Sequence, residues 1–356
     1  MSINLATKYS NKIAQAHTHE SFLAGKAKAP YDFVGVKSIR IYTLLSQPLN
    51  NYDRTNTSNR YGALSELQDS YQEISMTQDK SFRIAIDKGN NNEQMMVKEA
   101  GRVMKMQLRE QVVPTGDKRA LNRWAWGAGK CLEYSANASI SKSNIISMLL
   151  DIEKEFMDTF TPLDDRYVVV KNEHVKLIKT SDEFQYVDGV RENFILKGII
   201  GKIGTLKIIA MPAAWFPTNA EHIAFHSRAV GFPFKIRDTR IVTDSEAVNG
   251  AVLLGRFNYD AFVVGGACDD VIVVTTSGNK CADPAVTKST DTTITSTTSG
   301  AKIYYTTDGS DPRFSASRIE YSAGITNPTA GTVIKAVAIY ESGNKFTSNV
   351  TTHVCV

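Results

Sequence analysis

His222 and His226 stand four residues apart. That spacing puts two imidazoles on one face of a helix, as in His-Glu-x-x-His zinc sites. The residues between them are Ile223, Ala224 and Phe225, so no general base is placed there. His17 and His19, in His17-Thr18-His19-Glu20, face apart on a helix, and a solvated segment is the plainer reading. Gly198, Gly201 and Gly204 spell G-x-x-G-x-x-G, but no Lys-Ser/Thr closes the loop and no helix start follows. Close packing or bulges within a strand explain these glycines better than a phosphate does. Asp164-Asp165 and Asp269-Asp270 are adjacent carboxylates, whereas a glycosidase needs two across a cleft. Cys131, Cys268, Cys281 and Cys355 form no C-x-x-C pair. Free thiols are expected, with pairing of Cys281 and Cys355 open if their strands are neighbours. Lys98, Arg102, Lys105 and Arg109 face either nucleic acid or a neighbour's carboxylates. No catalytic residue, metal ligand or cofactor is assigned.

The elements that carry these residues can be read from periodicity. Residues 1–58 read as an extended arm, with a short helix at about Leu5–Ala24, a strand at Ser38–Thr43 and a polar run at Asn50–Asn59. Tyr71–Met76 and Phe82–Asp87 alternate with period two, and Thr77–Lys80 supplies a turn, so a long hairpin is expected. A long helix follows, capped by Asn91 or Asn92 and stopped by Pro114. Met96, Ala100, Val103, Gln107 and Leu108 fall at helical spacing along it, and about 20 residues give a rod of roughly 30 Å. A second helix is expected from Ser143 to Phe160, with Ile145, Leu149, Ile152, Phe156 and Phe160 on one apolar face. Arg166–Val170 reads as a strand, Phe194–Ala210 as one or two buried strands, and Thr218–Val230 as a helix. Lys235–Val242 and Gly250–Val264 return to strands. The fold class is α+β.

Composition bounds the rest. The 356 residues suggest about two domains, and 42% hydrophobic with 22% charged residues is ordinary for a globular chain. A formal charge of +4 is too weak for a dedicated nucleic-acid binder. No apolar segment follows Met1-Ser2-Ile3-Asn4-Leu5, so a cytoplasmic protein is expected. The most apolar stretch, Asn193–Phe216, is broken by Lys197, Lys202 and Lys207, so no membrane partner is expected. Near Ser277-Gly278-Asn279-Lys280 the composition turns to Ser and Thr with short strands, which places a boundary at about residue 279.

The order of arm, hairpin, long helix, mixed body and closing strands resembles phage major capsid proteins of the Hong Kong 97 type. The strand Arg166-Tyr167-Val168-Val169-Val170 after a helix is similar to that family, as is Gly198-Ile199-Ile200-Gly201-Lys202-Ile203-Gly204. So are Ile223–His226 followed by Arg228-Ala229-Val230, and the closing Gly255–Val263. The resemblance implies an N-terminal arm (1–58), an extended loop hairpin (59–90) and a peripheral domain with a spine helix (91–129 and 236–278). An axial domain would cover 130–235. Residues 279–356 resemble the chitobiase/β-hexosaminidase C-terminal domain, a small all-β immunoglobulin-like sandwich. That likeness rests on Gly300–Pro312, Tyr321, Ile334–Ala338, Gly343 and Ser348–Val350. Chitobiase activity belongs to a separate catalytic barrel, and residues 1–278 lack its strand–helix repeat.

What the resemblance implies is assembly rather than catalysis. Copies would form hexamers and pentamers of an icosahedral virion shell, made in the host bacterial cytoplasm. Tyr71, Ile74, Met76, Phe82, Ile84 and Ile86 of the extended loop would contact the adjacent subunit. Met96, Val103 and Leu108 would line the spine helix. A separate scaffolding protein, a portal protein and double-stranded DNA on the inner face are the implied partners. The family's covalent crosslink has no assignable residues here. The C-terminal domain would face outward, bracing the shell or holding host-surface glycans through Tyr304, Tyr340 and Phe346. An encapsulin-type shell and a secreted glycan-binding adhesin are the alternatives.

Overall fold

The structure is a computed structural model. It describes residues 21–23, 25–31, 33, 38–44, 51–61, 69–88, 99–134, 140–181, 199–243, 248–288, 291–326, 328–329 and 331–355. Residues 5–20 and 24 of the expected N-terminal helix, His17, His19, Met96, Lys98 and Gly198 lie outside them; Ser21–Leu23 are not helical.

In chain order the body contains β1 (Ser38–Leu44), β2 (Asp69–Ser75), β3 (Gln78–Asp87) and helix α1 over 100–126. Then come β4 (Lys130–Tyr134), α2 (Ile145–Asp158), β5 (Arg166–Lys171) and α3 (Asn172–Thr180). They are followed by β6 (Ile199–Ile203), β7 (Leu206–Met211), β8 (Ala220–His226) and β9 (Val230–Gly231). The body closes with β10 (Phe234–Val242), β11 (Gly250–Tyr259), β12 (Phe262–Val263) and β13 (Val271–Thr276).

A six-stranded sheet in the order β4-β13-β8-β5-β7-β6 forms the centre. Both faces are covered, which is why its middle strands read as unbroken apolar runs rather than alternating ones. Val169, Ile223, Phe225 and Val273 point to α1, where Leu121 and Trp124 are fully buried. Val168, Val170, Ala224, Ile272 and Val274 point to α2 and α3. Each of the Val, Ile and Phe side chains contributes roughly 1.5–3 kcal/mol by leaving water. A register shift between Ile199 and Gly201 is the strand irregularity expected of that glycine. Gly204 turns β6 into β7 with φ +53°, and any Cβ there would strike the Glu153 carboxylate.

Five expectations need correction. First, the segment around His222 is strand β8 and not a helix. It is buried on both faces, so its apolar run carries no period to separate strand from helix. Second, Pro114 does not end α1. The π turn Leu108–Val112 precedes it, with the Val113 N–H donating to Leu108 O, five residues back. Proline removes an N–H and crowds the carbonyl four residues before it, and a π turn absorbs that misfit. The Thr115 hydroxyl donates to Gln111 O at 2.6 Å, the i to i−4 back-bond common for Ser and Thr within helices. Third, β2 and β3 do not pair. β2 pairs with β1 from Ser38↔Ser75 to Leu44↔Asp69, while β3 joins β11 and β10 in a three-stranded sheet. Fourth, β13 lies inside the central sheet between β4 and β8, so that sheet draws on both 130–235 and the closing segment. Fifth, Phe160 is off the apolar face of α2. It sits beyond the helix end with φ +55° and is 93% exposed.

After Thr276 the chain leaves the central sheet. Strands β14 (Ala285–Lys288) and β15 (Thr292–Thr295) form one small sheet. The second has the order β17-β16-β18-β19, from β16 (Lys302–Thr306), β17 (Ile319–Glu320), β18 (Val333–Ile339) and β19 (Thr351–Val354). Ile294 and Val286 of the first sheet pack on Ile334, Ala336 and Ile303 of the second. All four cysteines are free thiols and buried, and burial pushes Cys131 up to about 12.

Candidate subunit-contact surface

The hairpin of β1 and β2 has two unlike faces, because paired residues in an antiparallel ladder share a face. Ile39, Ile41 and Ile74 turn inward onto Phe33, Phe262 and Val264. On the outer face Tyr42 and Tyr71 pair at 6.1 Å between ring centroids. The Arg40 guanidinium lies 5.1 Å over Tyr71 and 3.5 Å from the Glu73 carboxylate. Tyr42 and Leu44 remain 61% and 69% exposed. Gln72 anchors the hairpin root: its Oε1 accepts from the Gly265 N–H at 2.8 Å, and its Nε2 donates to Val263 O at 3.1 Å.

Residues 51–61, between the two strands, hold themselves by side-chain turns. Asp53 Oδ1 accepts from the Thr55 N–H and hydroxyl, and Asn56 Oδ1 from the N–H groups of Ser58 and Asn59. The Asp53 N–H donates to Arg60 O, and the Tyr52 and Tyr61 rings meet edge to face at 5.0 Å.

Of the six loop residues expected to contact a neighbour, only Tyr71 lies on the exposed hairpin face. Ile74 and Met76 pack under the hairpin. Phe82, Ile84 and Ile86 pack against Met104, Val103 and Leu108 of α1. The alternation of 82–87 is real, but its apolar face is consumed within the chain. Tyr42, the partner of Tyr71, was missed; it sits in the alternating run Ser38–Thr43 that reads as arm.

Where β2 gives way to β3, a buried carboxylate replaces the expected turn. Asp260 Oδ2 accepts from the Thr77 N–H at 3.1 Å and hydroxyl at 2.6 Å, and Arg119 Nε donates to Oδ1 at 3.1 Å. Burial opposes the charge on Asp260, but these bonds outweigh it and hold the carboxyl below its usual range. Its sequence signal is a lone acid between Tyr259 and Ala261 in an apolar run.

The C-terminal unit is fastened to the body. Phe346, 1% exposed, belongs to the main core and lies 4.5 Å from Trp126 between ring centroids. It therefore cannot hold a sugar, which corrects that expectation. The Arg313 side chain is 5% exposed and reaches Asp311 at 2.5 Å, Asp269 at 3.0 Å and the Gly129 carbonyl. A Cβ on Gly129 would collide with the Cys268 carbonyl, so only glycine admits this approach. Burial works against the Asp311 charge, and the Arg313 guanidinium holds that carboxyl below its usual range. Asn349 Oδ1 accepts from the Cys131 N–H at 2.8 Å. Tyr304 is half-buried, with its hydroxyl 2.9 Å from Glu341 and the Arg318 guanidinium 4.7 Å over its ring; Tyr340 is half-buried beside Gly300.

His222 and His226 do share a face, since four is also an even number along a strand. His222 is fully buried, its ring 5.0 Å from that of His174, and burial pushes its pKa down to about 3. Glu173, His174 and Glu221 bring their donor atoms within 4.8 Å of one another, and the Lys171 ammonium already sits 2.7 Å from Glu221. Arg102, Lys105 and Arg109 are exposed on α1, with Arg102 3.7 Å from Glu99. Among the described residues no helix is long and apolar enough to cross a membrane.

Comparison with solved structures identifies the architecture. The chain shares its fold with phage capsid proteins. A structure from Mycobacterium phage Che8 matches at TM-score 0.60 and 15% identity, over 76% of this chain and 96% of that one. The capsid of cyanophage P-SCSP1u matches at TM-score 0.60 and 12% identity, over 76% and 93%. The mature capsid of bacteriophage PhiM1 matches at TM-score 0.57 and 14% identity, over 78% and 93%. A family model described as Fn3 associated matches residues 292–355, within the C-terminal unit. No curated protein matches the sequence.

Proposed function

We propose that this chain is a major capsid protein of the Hong Kong 97 type, a non-enzymatic subunit of the icosahedral head of a tailed phage or prophage. One observation carries the reading: the likeness spans 93–96% of the phage chains and so involves a whole subunit rather than a shared motif. In this reading α1 is the spine helix and the central sheet with α2 and α3 is the axial domain. The β1–β2 hairpin acts as the extended loop. It lies over the adjacent subunit, and the outer face with Tyr42, Leu44 and Tyr71 supplies apolar contact there. Heterologous contacts that close by rotation give hexamers and pentamers, each interface burying about 1,600 Å² or more. A scaffolding protein, a portal and packaged DNA complete the assembly, which takes place in the host cytoplasm and ends in the virion.

The C-terminal unit, read as immunoglobulin-like, is an outward brace. The buried Arg313 and the Trp126–Phe346 contact favour bracing over a swinging adhesive module. Tyr304 and Tyr340 remain the candidate glycan contacts. The test is electron microscopy of the purified chain, alone and co-expressed with its genomic neighbours. Closed particles or rings of five and six are expected; a monomer under every condition would refute the proposal.

A further inference from the structure

The loop after α2 presents an aromatic ring to water from a backbone conformation that such residues avoid. Phe160 has φ +55° and is 93% exposed. The strain is held in place by its surroundings. Its N–H donates to Met157 O at 3.0 Å, and the Thr161 N–H to Phe156 O at 3.0 Å. The Thr161 hydroxyl donates to Asp270 at 2.5 Å. The fully buried Arg166 donates to the carbonyls of Thr161 and Pro162 and to the Thr205 hydroxyl. A rigid frame around a strained, exposed ring is the pattern of a preorganised contact. Leu163 and Met157 extend the apolar shoulder, 63% and 49% exposed; the exposed Asp164 follows it in the chain, while Asp158 is paired with Lys154 at 2.9 Å.

The same chain carries a surface of opposite charge and like apolarity. In the segment between β1 and β2, Tyr61 is 83% exposed and braced edge-on by Tyr52. Arg60 precedes it in the chain, and Arg54 follows Asp53, whose N–H donates to Arg60 O; both arginines and Asp53 are exposed. Aromatic and arginine side chains are the usual anchors of protein interfaces. Both surfaces stay exposed within one chain, so a contact between copies is what would cover them. We propose that Tyr61, with Arg54 and Arg60, docks on the shoulder formed by Phe160, Leu163 and Asp164 of an adjacent copy. This rests on the shell reading above and names where the extended hairpin lands. The contact is heterologous and closes only by rotation about a ring.

The full-length chain tests it in an assembly assay read by electron microscopy and sedimentation. Phe160→Gly should leave the subunit's melting temperature unchanged or raised, because glycine tolerates φ +55°. It should also cut particle yield at least tenfold. Tyr61→Ala should do the same to assembly. Arg60→Glu and Asp164→Lys should each impair assembly, and the two together should restore it. Mixing Phe160→Cys chains with Tyr61→Cys chains should give a disulfide-linked dimer that neither forms alone. Wild-type yields from both Phe160→Gly and Tyr61→Ala, with no mixed dimer, would overturn the docking and leave the shell reading intact. Absence of wild-type particles would instead count against the shell reading itself.

Discussion

The rings of Trp126 and Phe346 pack at 4.5 Å between centroids with 31° between their planes. They join the last residue of α1 to the C-terminal unit. The C-terminal unit keeps a core of its own but lends Phe346 to the body's core, and three polar ties reinforce the junction: Arg313 to Asp269, Asn349 to Cys131, and the Asn219 side chain to Asn344 O at 3.0 Å.

Breaking this junction should destabilise the whole chain. Arg313→Ala leaves the half-buried Asp311 without its cation and should cost about 2–3 kcal/mol. Urea unfolding followed by tryptophan fluorescence and by circular dichroism should show one shared transition. Two separated transitions in the wild type would argue that the units fold independently.

The two faces of the hairpin should respond oppositely. Ile74→Ala empties a core position and should cost about 2–5 kcal/mol. Tyr71→Ala, on the outer face, should lower subunit stability by no more than about 1 kcal/mol while reducing particle yield. Paired thermal melts and assembly assays read both; equal losses of stability would dissolve the distinction.

His222 makes the fold sensitive to acid. Neither of its ring nitrogens has a hydrogen-bond partner among the described residues, and its folded pKa lies near 3 against about 6.5 when unfolded. Between those values the unfolded chain binds a proton that the folded chain refuses. Stability therefore falls as pH drops from about 6.5 toward 3, and His222 costs nothing by this route above 6.5. His222→Leu should flatten that slope and add about 1–2 kcal/mol at neutral pH by removing an unpaired polar group. Urea midpoints measured from pH 4 to 7.5 decide it; parallel curves for wild type and variant would exclude His222.

Asp165 works at lower pH. Its bonds to Lys207 at 2.8 Å and Lys28 at 2.5 Å hold its carboxyl far below the usual range. The stabilisation is present above the unfolded carboxylate value of about 3.9 and is lost as pH falls through the folded value. Asp165→Asn should lower the melting temperature at pH 7, and the difference should shrink in strong acid. A difference independent of pH would point to packing instead.

The local signals in the sequence were informative where they were amphipathic. The stripe Ile145, Leu149, Ile152 and Phe156 gives α2, and Arg166–Val170 gives β5. Signals failed where a segment is buried on both sides or where a breaker is accommodated. The run Ile223–Phe225 has no period, and Pro114 is carried by a π turn that no composition announces.

The candidate site was half legible. Period-two alternation marked the strand, but Tyr71 and Ile74 were expected on one contact surface, whereas the structure puts them on opposite faces. Nor could the pattern say that β2 would pair with β1 and β3 with β11, since alternation specifies a face and not a partner.

The sequence by itself determined the α+β class, most of the elements, and the two-faced alternation of the amphipathic strands. These follow from short-range sterics and periodicity. Only the tertiary structure decided strand partners, the burial of Phe346 and Arg313 at the junction, and the ejection of Phe160 from its helix face. Those outcomes depend on contacts between residues far apart in the chain, whose energies no local window contains.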